Sequence, residues 1–378
     1  MTADKKTLRI ANAINTTFDF GRRVMLGMME YLRHHPQFDV LWFQEDLPEV
    51  ELLRDWGVNG MVGLFNNQEQ AQRYAALNIP LINASAVNHP APMINVQVNQ
   101  QKIGQQAAAE LRQLRAPHFA FLGLEGRIFS DLREEGFQEG LGERPYEKFI
   151  LPSKMWLWLD LLGKWLHRLP KPCGIFCAGD NEARILLSCC RAHGIQVPSE
   201  IAVISANNDT DLCLATVPSL SSIPNRSREI GKTAIKELTR ILQGGTIDAH
   251  NYLIEPGETV HRESTNILFA VENAKLEKAL QFIRDNIHRN IGVDEVARSF
   301  GASRRATELH FRKSLQRTPL QEIHRVRLAN IQKKLLETDD SLETIALQSG
   351  LKSHNQLHAF FRKNTKMTPD TYRRKYRE

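Results

Sequence analysis

The fold of this chain is decided by two stretches near its C-terminal end, VDEVARSFGASRRATELHFRK at residues 293–313 and LETIALQSGLKSHNQLHAFFRK at residues 342–363. Both stretches end in a phenylalanine followed by arginine and lysine, and a Thr-Pro pair follows each of them. A shared period of this kind indicates that one structural unit is written twice. The residues that recur fifty positions later are Ser303, Phe311, Arg312, Lys313, Thr318 and Pro319.

Each stretch has the pattern of a helix-turn-helix. In the first copy, four apolar or small residues share one helical face: Val293, Val296, Ala297 and Phe300. Gly301 can take the left-handed backbone that ends a helix, and the serine two residues later can cap a second helix. In the second copy the same roles fall to Leu342, Ile345, Ala346, Ser349, Gly350 and Ser353. The second helix of such a unit normally lies in the major groove of DNA.

The second helix of each unit has one face directed inward and one directed outward. Thr307, Phe311 and Leu315 have the spacing of an inward face, as do Leu357 and Phe361 in the second copy. On the outward face, arginine and asparagine can pair with guanine and adenine edges, whereas leucine can only touch a thymine methyl group. The basic residues at the helix ends suit phosphate contact, or simply a solvated surface. The predicted DNA-contacting residues are Ser303, Arg304, Arg305, Glu308, Leu309, Arg312, Lys313, Ser353, His354, Asn355, His358, Arg362 and Lys363.

One continuous helix is predicted between the two units. Thr318 can cap this helix, and Pro319 suits its first position. The apolar residues that follow, before the pattern restarts at Asp340, are Ile323, Val326, Ala329, Ile331 and Leu335. Such a helix would fix the two reading helices relative to each other, so that one subunit grips major-groove segments about 34 Å apart.

Composition and charge fit a globular nucleic-acid-binding protein. The chain has 378 residues, of which 42% are hydrophobic and 24% charged. Its formal charge of +6 is unevenly placed: residues 271–378 hold 22 Lys and Arg against 13 Asp and Glu, whereas residues 1–270 hold 27 against 30. Positive charge therefore coincides with the predicted helix-turn-helix units, as phosphate binding requires.

Cysteine usage and hydropathy predict a cytoplasmic protein. The five cysteines lie between Cys173 and Cys213 without a Cys-x-x-Cys pair, so buried thiols are expected rather than disulfides or zinc. The N-terminus lacks the apolar run of a signal peptide, and the most apolar stretch carries Asp160 and Lys164, which argues against a membrane span. No phosphate-cradling loop, nucleophile elbow or metalloprotease motif suggests an enzyme, and we expect no metal and no cofactor.

The doubled motif resembles the DNA-binding domain of the AraC/XylS family of transcription regulators. The resemblance covers about residues 272–378, and it departs from the family at Thr307 and Leu309, where a bulky apolar and a basic residue are commoner. It implies the first helix-turn-helix at about 293–315, a linking helix at about 319–338 and the second helix-turn-helix at about 341–365.

The first 265 residues alternate strand and helix patterns. Strand patterns occur at residues 8–14, 40–43, 60–65, 79–82, 95–98, 118–123, 174–178, 201–205 and 252–256. Helical patterns separate them at residues 21–33, 103–114, 182–193 and 225–244. This alternation predicts parallel sheets covered by helices, arranged as two α/β lobes. Ligands bind beyond the carboxyl ends of parallel strands, so the two lobes imply a binding cleft.

A second resemblance covers about residues 7–265. This region is similar to the ligand-binding region of the LacI family, which is built like a periplasmic sugar-binding protein. The resembling stretches are REEGF at 133–137, AGDNEA at 178–183, HGIQVP at 193–198 and PSLSSI at 218–223. The pairing of such a sensor with an AraC-type tail resembles regulators of pentose catabolism, and that resemblance implies sensing of a pentose.

The resemblance to the LacI family implies that polar residues near the strand ends bind the ligand. The predicted ligand-binding residues are Asp19, Asn66, Arg133, Asp180 and Asn207. Carboxylates, amides and a guanidinium suit sugar hydroxyls, which must be paired as donors and acceptors when they are buried. Each residue has a structural alternative: Asp180 can cap a helix, Arg133 can hold a surface acid, and asparagines can serve turns. Asn207 stands where the resembling regulators carry an aspartate.

Two further features have competing interpretations. His354 and His358 have the spacing of a helical zinc pair but lack a third ligand, so DNA contact or solvent exposure is expected instead. Trp156, Trp158 and Trp165 lie in an apolar stretch that predicts either a subunit interface, a dock for the DNA-binding domain, or a fully buried helix.

These features together predict a ligand-controlled transcription regulator, a dimeric activator of carbohydrate catabolism genes of the pentose type. Residues 1–265 are predicted to bind ligand and dimerise, residues 266–378 to bind DNA, and the segment from Asn266 to Lys278 to couple them. The expected partners are double-stranded operator DNA, a small sugar, a second copy of the chain and RNA polymerase. Two alternatives stay open: a DNA-binding regulator without a small ligand, and a sugar-binding protein with an incidental basic tail.

Overall fold

The computed structural model describes residues 7–43, 47–152, 159–266, 274–315 and 317–376. It confirms the predicted fold class of two parallel-sheet α/β lobes followed by a helical domain with two helix-turn-helix units. Within these ranges no helix has the length and apolar character needed to cross a membrane.

The first lobe is built on a six-stranded parallel sheet. Its strands are β1 (Leu8–Ala13), β2 (Phe38–Phe43), β3 (Gly60–Gly63), β4 (Leu81–Asn83), β5 (Ile94–Val98) and β11 (Asn251–Ile254). They lie side by side in the order β11-β5-β4-β3-β1-β2. The central strands β3, β4 and β5 are buried along their whole length, as expected where helices cover both faces of a parallel sheet.

Four helices cover this sheet. Helices α1 (Asp19–Leu32) and α9 (Ser227–Leu242) pack against each other on one face. Val24, Met28 and Ile235 of these helices join the core beneath the strands. Helices α2 (Val50–Asp55) and α3 (Gln68–Ala75) lie on the other face, where they supply a second apolar cluster.

The second lobe has a five-stranded parallel sheet. Its strands are β6 (His118–Leu124), β7 (Glu147–Leu151), β8 (Cys173–Cys177), β9 (Ile201–Asn207) and β10 (Ser221–Pro224), in the order β10-β9-β8-β6-β7. The helices are α4 (Gln100–Gln113), α5 (Ile128–Leu141), α6 (Leu159–Arg168), α7 (Asp180–Ala192) and α8 (Thr210–Ala215). The chain passes between the lobes after β5, after β10 and again after β11, where Val260 pairs with Ser222 beside β10.

The C-terminal domain is helical and has two apolar cores. Its helices are α10 (Ala274–Asn286), α11 (Val293–Phe300), α12 (Arg304–Leu315), α13 (Pro319–Glu337), α14 (Leu342–Gln348), α15 (His354–Thr365) and α16 (Pro369–Tyr376). The first core joins α10, α11 and α12, and the second joins α14, α15 and α16. Helix α13 enters both cores, through Ile323 in the first and through Ile331 and Leu335 in the second.

The Trp-rich stretch does not form the fully buried helix that was one of its three predicted interpretations. Trp156 and Trp158 lie outside the described residues, whereas Trp165 is half-buried and packs on Phe149 with ring centroids 5.4 Å apart. In α6, Leu162 and Leu166 are buried, but Leu159 and Leu161 are about half exposed. The fully buried helix is therefore wrong for this segment, because α6 is amphipathic and covers only one face of the sheet. The subunit interface and the dock for the DNA-binding domain both stay predictions.

Candidate DNA interface and ligand cleft

The first helix-turn-helix forms because its turn is capped on both sides. Helix α11 ends at Gly301, whose φ of 75° is in the left-handed region. The hydroxyl of Ser303 accepts a hydrogen bond from the backbone N–H of Ala306 at 3.3 Å, which caps α12. Thr307, Phe311 and Leu315 are buried, so the predicted inward face of α12 is confirmed.

The outward face of α12 carries most of the DNA contacts predicted for the first unit. Arg305, Arg312 and Lys313 are exposed, and Leu309 is 68% exposed, a large value for an apolar side chain. Arg304 is also exposed, but it pairs with Glu308 at 3.2 Å and with Asp294 at 3.5 Å. Surface ion pairs of this kind are weak, so phosphate or a base can replace them.

The second unit repeats this arrangement with different side chains. Ser353 caps α15 by accepting from the N–H of Gln356 at 3.4 Å, and Leu357 and Phe361 are buried. Asn355, Arg362 and Lys363 are exposed on the outward face.

His354 and His358 in α15 are half-buried, with ring centroids 4.5 Å apart. The Nε2 atom of His358 lies 3.7 Å from a carboxylate oxygen of Asp370. Among the described residues no group of three or more His, Cys, Asp or Glu could hold a metal ion.

The linking helix begins with a complete capping box. The hydroxyl of Thr318 accepts from the N–H of Gln321 at 3.2 Å, and the Gln321 side chain accepts from the N–H of Thr318 at 2.7 Å. Pro319 occupies the first helical position. Because α13 supplies side chains to both cores, it fixes the relative placement of α12 and α15.

A buried arginine organises the carboxyl ends of the strands in the second lobe. The Arg133 guanidinium donates to the side chain of Gln100 at 2.8 Å, to the carbonyl of Ala178 and to the Oδ1 atom of Asn207 at 3.0 Å. Its partners are thus strand and helix ends, so the alternative of a surface ion pair is wrong. Burial lowers the pKa of Arg133 to about 10, partly offset by the nearby charge of Asp180.

Asn207 lies at the end of β9 with a φ of 114°, a conformation that is rare outside glycine. Its Oδ1 atom also accepts from the Asn225 amide at 3.0 Å. Within the described parts of the chain, no hydrogen bond is donated by the Asn207 side-chain NH₂, so this group is available to a ligand.

Asp180 is buried, and its carboxylate is occupied by protein donors. It accepts from the hydroxyls of Ser205 and Ser222 and from the backbone N–H of Asp209, the last at 2.7 Å. Burial raises the pKa of Asp180, and these hydrogen bonds oppose the rise. The carboxylate thus holds the segment 207–209 in place, and a direct ligand contact by Asp180 stays a prediction.

On the first lobe, Asp19 begins α1 and pairs with Arg23 at 2.7 Å. Burial raises the pKa of Asp19, Arg23 lowers it, and the charge of Asp209 in the other lobe raises it further. Asp19 and Asp209 belong to different lobes, so their like charges repel each other between the lobes.

Asn66 is exposed after β3, and its backbone N–H donates to Gln70 at 2.8 Å. In the described ranges, no hydrogen bond or ion pair joins it to Arg133 or Asn207.

Sequence reasoning missed a buried amide on β1. Asn12 is 1% exposed, and neither atom of its amide has a hydrogen-bond partner among the described residues. Buried amides without partners are costly, and this one lies near the carboxyl end of its strand, where ligands bind. The available signal was a polar residue between Ile10 and Ile14 on the buried face of a strand.

Two family models match this chain. Residues 108–265 match the periplasmic binding protein-like domain, and residues 296–375 match a helix-turn-helix domain. The chain is a DNA-binding transcription regulator with a periplasmic-binding-protein-like sensor. Both predicted resemblances of the regulator are confirmed.

The regulator has relatives along its whole length. It is 25% identical to the xylose operon regulatory protein of Escherichia coli strain K12 over 97% of both chains, and 24% identical to that of Haemophilus influenzae over 97% and 98%. A solved xylose-binding transcription activator shares the fold, with a TM-score of 0.63, 24% identity and 98% coverage of both chains. A regulator from Alkaliphilus metalliredigens complexed with D-xylulofuranose matches 68% of the regulator and 98% of its own chain, at 17% identity and a TM-score of 0.57.

Proposed function

We propose that this regulator activates pentose-type catabolism genes when a sugar occupies its cleft. The observation that carries the proposal is the full-length similarity to regulators named for the xylose operon, which contain both the sensor and the DNA-binding parts. The structural relative complexed with D-xylulofuranose supports a five-carbon ligand for the sensor fold. The regulators named among the relatives are not enzymes by name, and we propose no catalytic activity for this chain.

The proposed sugar contacts are the predicted residues, with Asn12 added. Arg133 would donate to hydroxyl oxygens, Asp19 and Asn66 would bind from the first lobe, and Asp180 would act by holding the segment 207–209. The NH₂ of Asn207 supplies a donor where an aspartate would supply an acceptor. We therefore expect the preferred sugar to differ from that of relatives with aspartate at this position.

The proposed DNA contacts fall into two groups. Arg305, Glu308 and Leu309 in the first unit, with His354, Asn355 and His358 in the second, face base edges. The residues proposed to contact phosphate are Ser303, Arg304, Arg312, Lys313, Ser353, Arg362 and Lys363.

We propose division of the chain into residues 1–265 and 266–378, a homodimer that presents two DNA-binding domains to one operator, and contact with RNA polymerase. A reducing cytoplasm suits the five buried thiols.

Footprinting of the purified regulator on DNA upstream of neighbouring genes, with and without a panel of pentoses, tests this function. We expect a protected site with two-fold related halves and a change in protection with one sugar. If calorimetry detects no binding heat for any sugar of the panel, the result supports the alternative of a DNA-binding regulator without a small ligand. If the regulator binds all DNA sequences equally and loses this binding at moderate salt, the result supports the alternative of a sugar-binding protein with an incidental basic tail.

A further inference from the structure

A buried ion pair joins the sensor to the end of the linking helix. The Nε atom of Arg262 lies 2.5 Å from a carboxylate oxygen of Glu337, the last residue of α13. The side chains of Arg262 and Glu337 are 0% and 6% exposed. A charge pair that is removed from water depends strongly on its geometry, because a small separation leaves both charges without compensation.

The other side of the Arg262 guanidinium holds the sensor. One terminal nitrogen donates to the carbonyl of Leu220 at 2.7 Å, and the other donates to the Oδ1 atom of Asn208 at 2.9 Å. Arg262 therefore bridges a sensor loop and the DNA-binding domain with one rigid, planar group.

Asn208 connects this bridge to the ligand cleft. It follows Asn207, which is bonded to Arg133, and it precedes Asp209, whose N–H is bonded to Asp180. The backbone N–H of Asn208 donates to Ser222, which in turn donates to Asp180. The segment 207–209 thus faces the cleft through its first residue and Arg262 through its second.

We propose that Arg262 transmits occupancy of the cleft to the DNA-binding domain, by coupling the position of the segment 207–209 to the end of the linking helix. The inference rests on the proposed function, since it requires a sugar at Asn207 and Arg133. A ligand that favours one position of Asn207 favours one position of Asn208, and Arg262 converts that position into a strong or a weakened contact with Glu337. Because α13 enters both cores, movement of its end repositions α12 and α15 together.

A second contact on the same helix supplies a matched control. Gln332 in α13 donates to Glu258 of the sensor at 3.5 Å, in an exposed position. In the described part of the chain, no hydrogen bond links this pair to the segment 207–209. It therefore contributes to the same junction without reporting on the cleft.

The test compares the full-length wild type with Glu337→Gln, Asn208→Gly and Gln332→Ala. Glu337→Gln removes the charge and keeps the shape, and Asn208→Gly removes the amide at a φ of 55° that glycine tolerates. Operator affinity is measured with and without the sugar that footprinting identifies, alongside sugar affinity by calorimetry and thermal unfolding.

We expect the sugar-dependent ratio of operator affinities to fall about fivefold or more in Glu337→Gln and in Asn208→Gly, and to be unchanged in Gln332→Ala. An unchanged ratio in both folded variants overturns the inference, and so does an equal loss in Gln332→Ala. If Glu337→Gln does not fold, the inference is decided by comparing the sugar-dependent ratio of operator affinities in Asn208→Gly with the ratio in Gln332→Ala. A wild type that binds no sugar overturns the proposed function, and the inference with it.

Discussion

Arg305 and Arg312 lie on one exposed face of α12, seven residues or about two turns apart, and we expect them to act differently. The N-terminal residues of a recognition helix contact base edges, whereas the far end lies near phosphate. Arg305→Ala should cost about 1–3 kcal/mol of operator binding and relax the preference at one base pair. Fluorescence anisotropy on the operator and on single-base variants measures both effects.

Arg312→Ala is the matched comparison for this prediction. It should weaken binding to all sequences alike and lower the slope of log affinity against log salt by about 1. A uniform loss for Arg305→Ala as well would assign both arginines to phosphate and leave base reading in the first unit to other side chains.

The two helix-turn-helix elements share a glycine turn whose surroundings differ. Gly301 and Gly350 have φ values of 75° and 69°, but a Cβ on Gly301 would meet nothing within 4 Å, whereas one on Gly350 would lie 2.1 Å from the carbonyl oxygen of Arg289. Gly301→Ala should therefore cost only backbone strain, about 1–2 kcal/mol of unfolding free energy. Gly350→Ala should cost about 1–3 kcal/mol more, because the backbone of residue 289 must move. Urea denaturation of both variants compares the two, and equal losses would contradict the close contact.

The helical elements could be predicted from sequence because their signals are local. Phe311 and Phe361, the two glycines and the capping serines recur at fixed spacing, and the structure places them as predicted. Strand β7 was missed because it is a short strand at the sheet edge, where Leu151 is its buried residue, and its three apolar residues at 149–151 are too few to show a strand pattern. Helices α2 and α8 have six residues each, too few to show periodicity.

The candidate cleft was predictable only in part, for a different physical reason. Asp19, Arg133 and Asn207 could be predicted as cleft residues from the alternation of strand and helix patterns together with the family resemblance. The partners of Asp180 are Ser205 and Ser222, which are 25 and 42 residues away and meet it only through the sheet order. The link from Asn208 to Arg262 spans 54 residues and has no sequence pattern at all.

Over the whole molecule, stability should depend on pH through Glu322 in α13. This carboxylate is buried within 3.0 Å of Arg317 and Arg325, and Arg325 also feels the charge of Glu110 in the sensor. Burial alone would raise the pKa of Glu322, but Arg325 and Arg317 lower it below its ordinary value of 4.5. The stabilisation is therefore present above pH 4.5 and is lost as the pH falls through the lowered pKa.

Glu322→Gln should lose about 1–3 kcal/mol of unfolding free energy at neutral pH, because it removes the charged partner of Arg317 and of Arg325, whose side chains are 26% and 43% exposed and keep part of their hydration. It should also lose less further stability than the wild type below pH 4.5. Thermal unfolding from about pH 3, below the ordinary carboxyl pKa values, to about pH 8, well above them, measures both. Asp160→Asn, which removes the solvent-exposed pair with Lys164, is the control and should follow the wild type. Parallel curves for Glu322→Gln and the wild type would contradict the assignment.

The third passage of the chain between the lobes has a practical consequence for building hybrid regulators. After β11, residues 259–265 return to β10, where Val260 joins the core of the second helix-turn-helix and Arg262 meets Glu337. A hybrid joined near residue 266 would place the DNA-binding domain of another regulator against Val260 and Arg262, whose contacts fit the linking helix of this chain. We expect a hybrid to respond to ligand if the linking helix of its DNA-binding domain ends in an acidic residue and offers apolar residues that pack on Val260. Replacing residues 257–378 as one block is the second design.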